Sequence, residues 1–276
     1  MTAPARAVRE FRRLHAEPEP LVLANAWDVI SARLVERTGG KAVATTSAGV
    51  AWAHGFADGE QLPVEHVLAS ARAWVNALTV PVSVDLEGGY DSEPGRVAEL
   101  VAELARIGVA GVNLEDGGGE PQVLAAKLSA CRARLAQLGL DLFVNARADV
   151  FLHSAIPAPE RLTEVVRRGL CYRAAGADGL FVPALFDLVQ IEQIASAVPL
   201  PLNVWPGLVR PGLVRPSVAD LSRVGVRRIS VGPRIALAAL SAARDEMLAL
   251  HRALPATVGA PLSYAEVNAW HARVVR

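Results

Sequence analysis

Short apolar runs rich in Val, Ile and Leu recur along the chain, each ending in small or polar residues and each followed by a stretch of helical period. They are LVLANA (21–26), KAVATTS (41–47), PVSVDLE (81–87), VAGVNLE (109–115), DLFVNAR (141–147), ADGLFVP (177–183), LPLNVW (200–205) and VRRISVG (226–232). Between them lie amphipathic segments such as RVAELVAELARIG (96–108) and RLTEVVRRGLCYRAAG (161–176). Strict strand–helix alternation implies right-handed crossovers and a parallel sheet. Gly108, Gly139, Gly176 and Gly225 stand just ahead of strands, where a left-handed helix cap belongs. Eight units without a G-x-G-x-x-G turn predict an α/β fold of the closed (β/α)₈ type rather than an open doubly wound sheet.

The last barrel helix is predicted over 233–254, followed by a linker bracketed by Pro255 and Pro261. A further helix over 263–274 opens with a capping box, Ser263 and Glu266, and gathers Tyr264, Val267, Trp270 and Val274 on one apolar face. The chain therefore divides into a barrel, 1–254, and a C-terminal helical extension, 255–276, whose apolar face needs the barrel wall or a second subunit as partner.

Composition narrows the function classes. Apolar residues make up 52% of the chain and aromatics only 5%, so the core must be built mainly from Ala, Val and Leu. Basic and acidic residues both number 28 and no basic run is interleaved with aromatics, which argues against nucleic acid and leaves a small molecule as the expected partner. Cys131 and Cys171 are too few and too isolated for a disulfide framework, and they read as inert core thiols in a reducing compartment. The N-terminal stretch MTAPARAVREFRRLHAEPEP lacks the apolar segment of a secretion signal, and no later segment is long and apolar enough for a membrane; a cytoplasmic protein is expected.

In an α/β barrel the reactive groups sit at the C-terminal ends of the strands. The residues there include Asn25, Thr45, Thr46, Ser47, Asp85, Glu87, Glu115, Asp116, Asn145, Arg147, Asp149, Asn203 and Ser230, a list too polar for strand interiors without purpose. Asp85 and Glu87 are two apart and point the same way, with Glu115 ending the next strand. Three carboxylates on one rim repel each other; a hard cation, Mg²⁺ with Mn²⁺ as the alternative, relieves that repulsion. The competing reading pairs Glu115 with Arg147. The Arg147 fork itself suits a carboxylate or a developing enolate. The turn Thr46–Gly49 offers backbone N–H groups to an anion, and the triple glycine 117–119 is read as a gating loop. No histidine pair has zinc-binding spacing; His54 and His153 fall nearest the pocket, where surface or packing roles are expected.

These residues together resemble the isocitrate lyase/phosphoenolpyruvate mutase superfamily, through NAWDVISARL (25–34), TTSAGVAWAHGFAD (45–58), VDLEGGYD (84–91), VNLEDG (112–117), NARADVF (145–151), AGADGLFVP (175–183) and PLNVW (201–205). The resemblance implies a Mg²⁺-dependent enzyme acting on a small 2-oxo acid through a metal-stabilised, pyruvate-like enolate. It places the metal on Asp85, Glu87 and Glu115, with Asp58 reached through water, and substrate contacts on Thr46, Ser47, Ala48, Asp85, Arg147 and Asn203. It also implies a homodimer or homotetramer that exchanges the C-terminal helix. The chain departs from the lyases at the loop after the fourth strand, EDGGGEPQVLAAK, which lacks their K-[KR]-C-G-H segment, and from the phosphoenolpyruvate mutases in having neither their lysine nor their asparagine there before Lys127. Glu87 also replaces a commoner aspartate. A carbon–carbon lyase, decarboxylase or hydrolase of the oxaloacetate type is therefore expected, its proton donor left open among a metal-bound water, Tyr90 and Asp58. The alternatives are a phosphonopyruvate or phosphoenolpyruvate mutase-type enzyme, and a non-catalytic protein that binds a 2-oxo acid such as 2-oxoglutarate.

Overall fold

The computed structural model describes residues 3–152, 155–205, 216–252 and 263–269. Its strands are β1 (Leu21–Leu23), β2 (Asn25–Ala26), β3 (Val43–Thr45), β4 (Val82–Asp85), β5 (Gly111–Glu115), β6 (Phe143–Arg147), β7 (Gly179–Pro183), β8 (Leu202–Trp205) and β9 (Val226–Ser230). All neighbours are parallel, in the order β1-β9-β8-β7-β6-β5-β4-β3-β2. The helices are α1 (Ala3–Ala16), α2 (Val29–Arg37), α3 (Ser47–Ala53), α4 (Val64–Ala77), α5 (Pro94–Ile107), α6 (Pro121–Gln137), α7 (Arg161–Ala174), α8 (Leu188–Ala197), α9 (Val218–Arg223), α10 (Arg234–Arg252) and α11 (Tyr264–Ala269).

The predicted first strand is two short pieces, and the break closes the barrel. Leu23 pairs with Ser230 on one side, whereas Asn25 pairs with Ala44 on the other. The Asn25 side chain bridges the seam: its Oδ1 accepts from the amides of Val231 and Gly232 at 2.9 and 3.0 Å, and its Nδ2 donates to the Thr45 carbonyl at 2.8 Å. A side-chain amide thus supplies hydrogen bonds that the interrupted ladder lacks. The glycine exits behave as expected, with φ of 105° at Gly108, 63° at Gly139, 97° at Gly176 and 90° at Gly225.

The N-terminal end of the barrel is stoppered by α1, a segment marked in the sequence only by lacking a secretion signal's apolar stretch. Phe11 and Leu14 bury against Leu21, Leu23, Ala42, Ala44 and Phe143. Gly111 makes room, since a Cβ there would stand 2.6 Å from the Phe11 ring. His15 stacks on Phe143 at 4.2 Å, and its Nδ1 lies 2.7 Å from the Phe11 carbonyl. Burial, followed by the nearby Arg228 charge, lowers the His15 pKa from 6.5 to about 3. Between those values the unfolded chain binds a proton that the folded chain refuses, so this residue costs stability as pH falls below 6.5. Thermal denaturation of His15→Phe is expected to show a shallower acid limb than the parent, the variant gaining relative to it from about pH 7 to about pH 5; parallel limbs would exclude this account.

At the opposite end, α11 lies on α3, with Val267 buried among Ala48, Trp52, Ala236 and Leu237 of the same chain. The Ser263–Glu266 capping box is present, the Ser263 amide donating to Glu266 Oε2 at 2.9 Å and the Glu266 amide to Ser263 Oγ at 3.2 Å. Pro255, Pro261, Trp270 and Val274 lie outside the described residues. Among the described residues no helix is long and apolar enough to cross a membrane.

Candidate active site

The strand ends converge on a cavity of about 300 Å³. Thr46 enters it as the N-cap of α3 and Ser47 and Ala48 from that helix's first turn, Asp85 from β4 and Arg147 from β6, with Asp58 arriving on the segment after α3. Phe181 and Trp205 form an apolar wall and Tyr264 of α11 closes the mouth. Glu87 and Glu115 face an adjoining chamber of about 350 Å³ with Glu60, Gly88 and Lys127. Asn203 is 1% exposed and does not line the cavity; it lies beneath it, accepting the Ser230 hydroxyl at 3.2 Å. Of the two readings of Glu115, the ion pair is present: Arg147 Nη1 is 2.5 Å from Glu115 Oε2, and Nε is 2.6 Å from Asp149 Oδ1.

Charge is concentrated here in a poorly solvated volume. Burial pushes the Asp85 carboxyl above its ordinary range; the Arg147 charge opposes this and the Asp58 charge adds to it. Glu87 is raised to about 8, by burial first and then by the charges of Asp58 and Asp85. Glu115 also reaches about 8 through burial, against the pull of Arg147. For Arg147 burial works against the charge, but Asp149 and Glu115 outweigh it and its pKa rises.

Whether this set suits a divalent ion can be judged from its oxygens. Among the described residues no three His, Cys, Asp or Glu side chains already form a cage. Asp58 and Asp85 each nevertheless keep a buried oxygen, Oδ1, with no hydrogen-bond donor. Buried carboxylate oxygens without donors are costly unless something cationic meets them. Glu87 is differently engaged: its Oε1 accepts the Tyr90 hydroxyl at 3.0 Å and its Oε2 the Glu60 amide at 2.8 Å. An all-oxygen set with two bare acceptors fits a hard cation such as Mg²⁺.

The turn that carries Glu87 is strained. Glu87, Tyr90 and Glu60 all have left-handed backbones, with φ of 50°, 60° and 59°. Such residues cost on the order of 1–3 kcal/mol each and persist only where their surroundings hold them. The holding bonds are the Tyr90 amide to Glu60 Oε1 at 2.6 Å and Lys127 Nζ to the Gly88 carbonyl at 2.6 Å. Neither Glu60 nor Lys127 was flagged from spacing, because both act through backbone groups that leave no sequence signature.

The triple glycine lies in the turn between β5 and α6. Residues 116–120 form a tight turn and α6 begins at Pro121. Asp116 pins it: Oδ1 accepts from the amides of Gly118 and Asp149 at 2.9 and 3.0 Å, and Oδ2 from Arg168 and the Tyr172 hydroxyl at 2.7 and 2.6 Å. Asp116 is thus an anchor for the rim. His54 lies outside the cavity beside His66, and His153 is outside the described residues. Cys131 is buried and its thiol is pushed up to about 12 by burial, which leaves it inert.

Two residues of α11, and Arg228 of β9, also escaped the sequence reading. The Tyr264 hydroxyl donates to Asp58 Oδ2 at 2.7 Å, and Asn268 Oδ1 accepts from the Asp58 amide at 2.6 Å and the Trp52 indole at 3.2 Å. The capping box disclosed this helix but not its destination. Arg228 is fully buried in the barrel interior, its pKa lowered to about 9 by burial against the pull of Asp85. Its signal was an arginine two before Ser230 on the same strand, hence on the same inward face.

Comparison with known proteins identifies the family. The phosphoenolpyruvate phosphomutase family profile matches residues 11–251. A crystal structure of a candidate phosphonomutase from Burkholderia cenocepacia J2315 superposes with a TM-score of 0.80 at 40% identity, covering 90% of this chain and 99% of that one. An uncharacterised protein of Mycobacterium tuberculosis strain H37Rv is 37% identical over 228 residues, 80% of this chain and 81% of its own length. The 2-methylisocitrate lyase of Shewanella oneidensis is 29% identical over 199 residues, 70% of this chain and 68% of the lyase. The parallel barrel, the motifs along it and a profile match over most of its length place the chain in the phosphoenolpyruvate phosphomutase family, within the isocitrate lyase/phosphoenolpyruvate mutase superfamily of lyases and mutases.

Proposed function

We propose that this protein is a Mg²⁺-dependent enzyme acting on a small 2-oxo acid, a carbon–carbon lyase, decarboxylase or hydrolase of the oxaloacetate type. The observation that carries the reading is the meeting, in one cavity of about 300 Å³, of the bare oxygens of Asp58 and Asp85 with the Arg147 fork. That volume lies at the small end of ligand pockets and suits a compact acid. Asp85, with Asp58, Glu87 and Glu115 around it, would hold the ion, which when bound supplies Lewis-acid polarisation of the substrate's 2-oxo group.

The chain's own residues do the rest. Glu115 and Asp149 fix the plane of the Arg147 guanidinium, leaving part of its fork for a substrate oxygen. When the bond at the carbon beside the 2-oxo group breaks, its electron pair passes toward the 2-oxo oxygen as an enolate, and the fixed Arg147 charge stabilises it without reorganisation. Phe181 and Trp205 keep water from that face. Protonation of the enolate carbon is assigned to the Asp58 side of the cavity, where Tyr264 also stands; the Tyr90 hydroxyl is committed to Glu87.

The test is turnover of a panel of 2-oxo acids, oxaloacetate included, with and without Mg²⁺. Release of a pyruvate-like or oxalate-like product only with the metal is expected. A preference for phosphonopyruvate would favour the mutase-type reading that the Burkholderia relative suggests. Calorimetric binding of 2-oxo acids with no turnover of any would overturn the enzymatic reading in favour of a binding protein.

A further inference from the structure

Arg228 is fully buried, yet its partners are few and neutral: Nε donates to Ser230 Oγ and Nη2 to Asn113 Oδ1, both at 3.3 Å. Its Nη1 has no acceptor, and the guanidinium stands 6.0 Å from the centre of the Phe11 ring. A buried cation held this loosely costs stability, and an apolar side chain over Phe11 would serve the fold better. Stability does not account for it.

What sets Arg228 apart from its neighbours is that it only donates. Hydroxyls and carboxamides can face either way, and the one group without that choice orders the others. Ser230 accepts from Arg228 and passes its own proton to Asn203 Oδ1 at 3.2 Å. Asn113 presents its oxygen to Arg228 and to Asn145 Nδ2 at 3.0 Å, which leaves its nitrogen for Asp85. Asn203, its oxygen taken, keeps a buried Nδ2 with no acceptor. Asn113 and Ser230 also line the cavity, so this ordering reaches its floor.

We infer that Arg228 is a positioning residue that fixes the hydrogen-bond polarity of the cavity floor, holding the Asn113 amide donor toward Asp85 and an anionic ligand and fixing the orientation of Asn203 beneath them. The identity of that ligand rests on the function proposed above; the ordering of the amides does not. Thermal denaturation, side-chain amide NMR of the ligand-free protein and calorimetry with oxalate at saturating Mg²⁺ test it on Arg228→Met, Arg228→Lys and Arg228→Gln. Arg228→Met is expected to melt no lower than the parent, to shift or split the Asn113 and Asn203 amide signals, and to weaken oxalate about tenfold or more. Arg228→Lys, also a pure donor, should restore the signals and most of the affinity; Arg228→Gln, which can face either way, should not. Unchanged amide signals in Arg228→Met, or Gln rescuing as well as Lys, would overturn the inference. If Arg228→Met fails to fold, the Lys and Gln variants decide it. If the parent does not bind oxalate, the ligand assignment falls while the amide signals still decide the role of Arg228.

Discussion

Asp85→Asn is expected to lower turnover of the preferred 2-oxo acid by about a thousandfold or more while leaving the melting temperature unchanged or higher. The two halves have one cause. Asp85 is sunk in the barrel mouth, where burial and the Asp58 charge already disfavour its ionised form, so a neutral isostere relieves the fold. The same change removes the anion that faces the cavity with a bare oxygen, and with it the strongest attraction for a divalent ion. Calorimetric titration with Mg²⁺ separates the effects: the parent should give a heat of binding that the variant lacks. Activity within about tenfold of the parent would remove Asp85 from the centre of the mechanism.

Arg147→Leu is expected to act in the opposite sense on stability. Its guanidinium lies between Glu115 and Asp149, and deleting it leaves two carboxylates in a poorly solvated rim without their counter-ion. Breaking a buried pair from one side costs about 3–5 kcal/mol, and urea denaturation should show a loss of that order together with loss of activity. Arg147→Lys should recover part of the stability but little of the activity, because a point charge cannot serve two carboxylates and a ligand oxygen as the fork does. A Leu variant as stable as the parent would mean that the ion pairs contribute nothing to the rim.

The barrel was legible because its signals are local and repeated. Each apolar run with a polar end, and each glycine exit, reports one strand or one helix cap, and eight such units leave little choice of topology. The cavity residues Asp85, Arg147 and Thr46–Ala48 were legible for the same reason, since strand ends in this architecture share one face. What escaped depends on long-range or one-sided contacts. Phe11 enters the barrel only because Gly111 lacks a side chain a hundred positions away, and Tyr264 meets Asp58 across a separation of 206 residues. The triple glycine marked permissive backbone, but the anchoring of its turn by Asp116 depends on Asp149, Arg168 and Tyr172, distant in sequence.

The attachment of α11 to Asp58 ties one lining residue of the cavity to a helix more than two hundred positions away in sequence. Both the amide and the carboxylate of Asp58 answer to that helix, through Asn268 and Tyr264. Divergence in that helix alone can therefore reshape the cavity beside Asp58, with every strand and every buried carboxylate oxygen inherited intact.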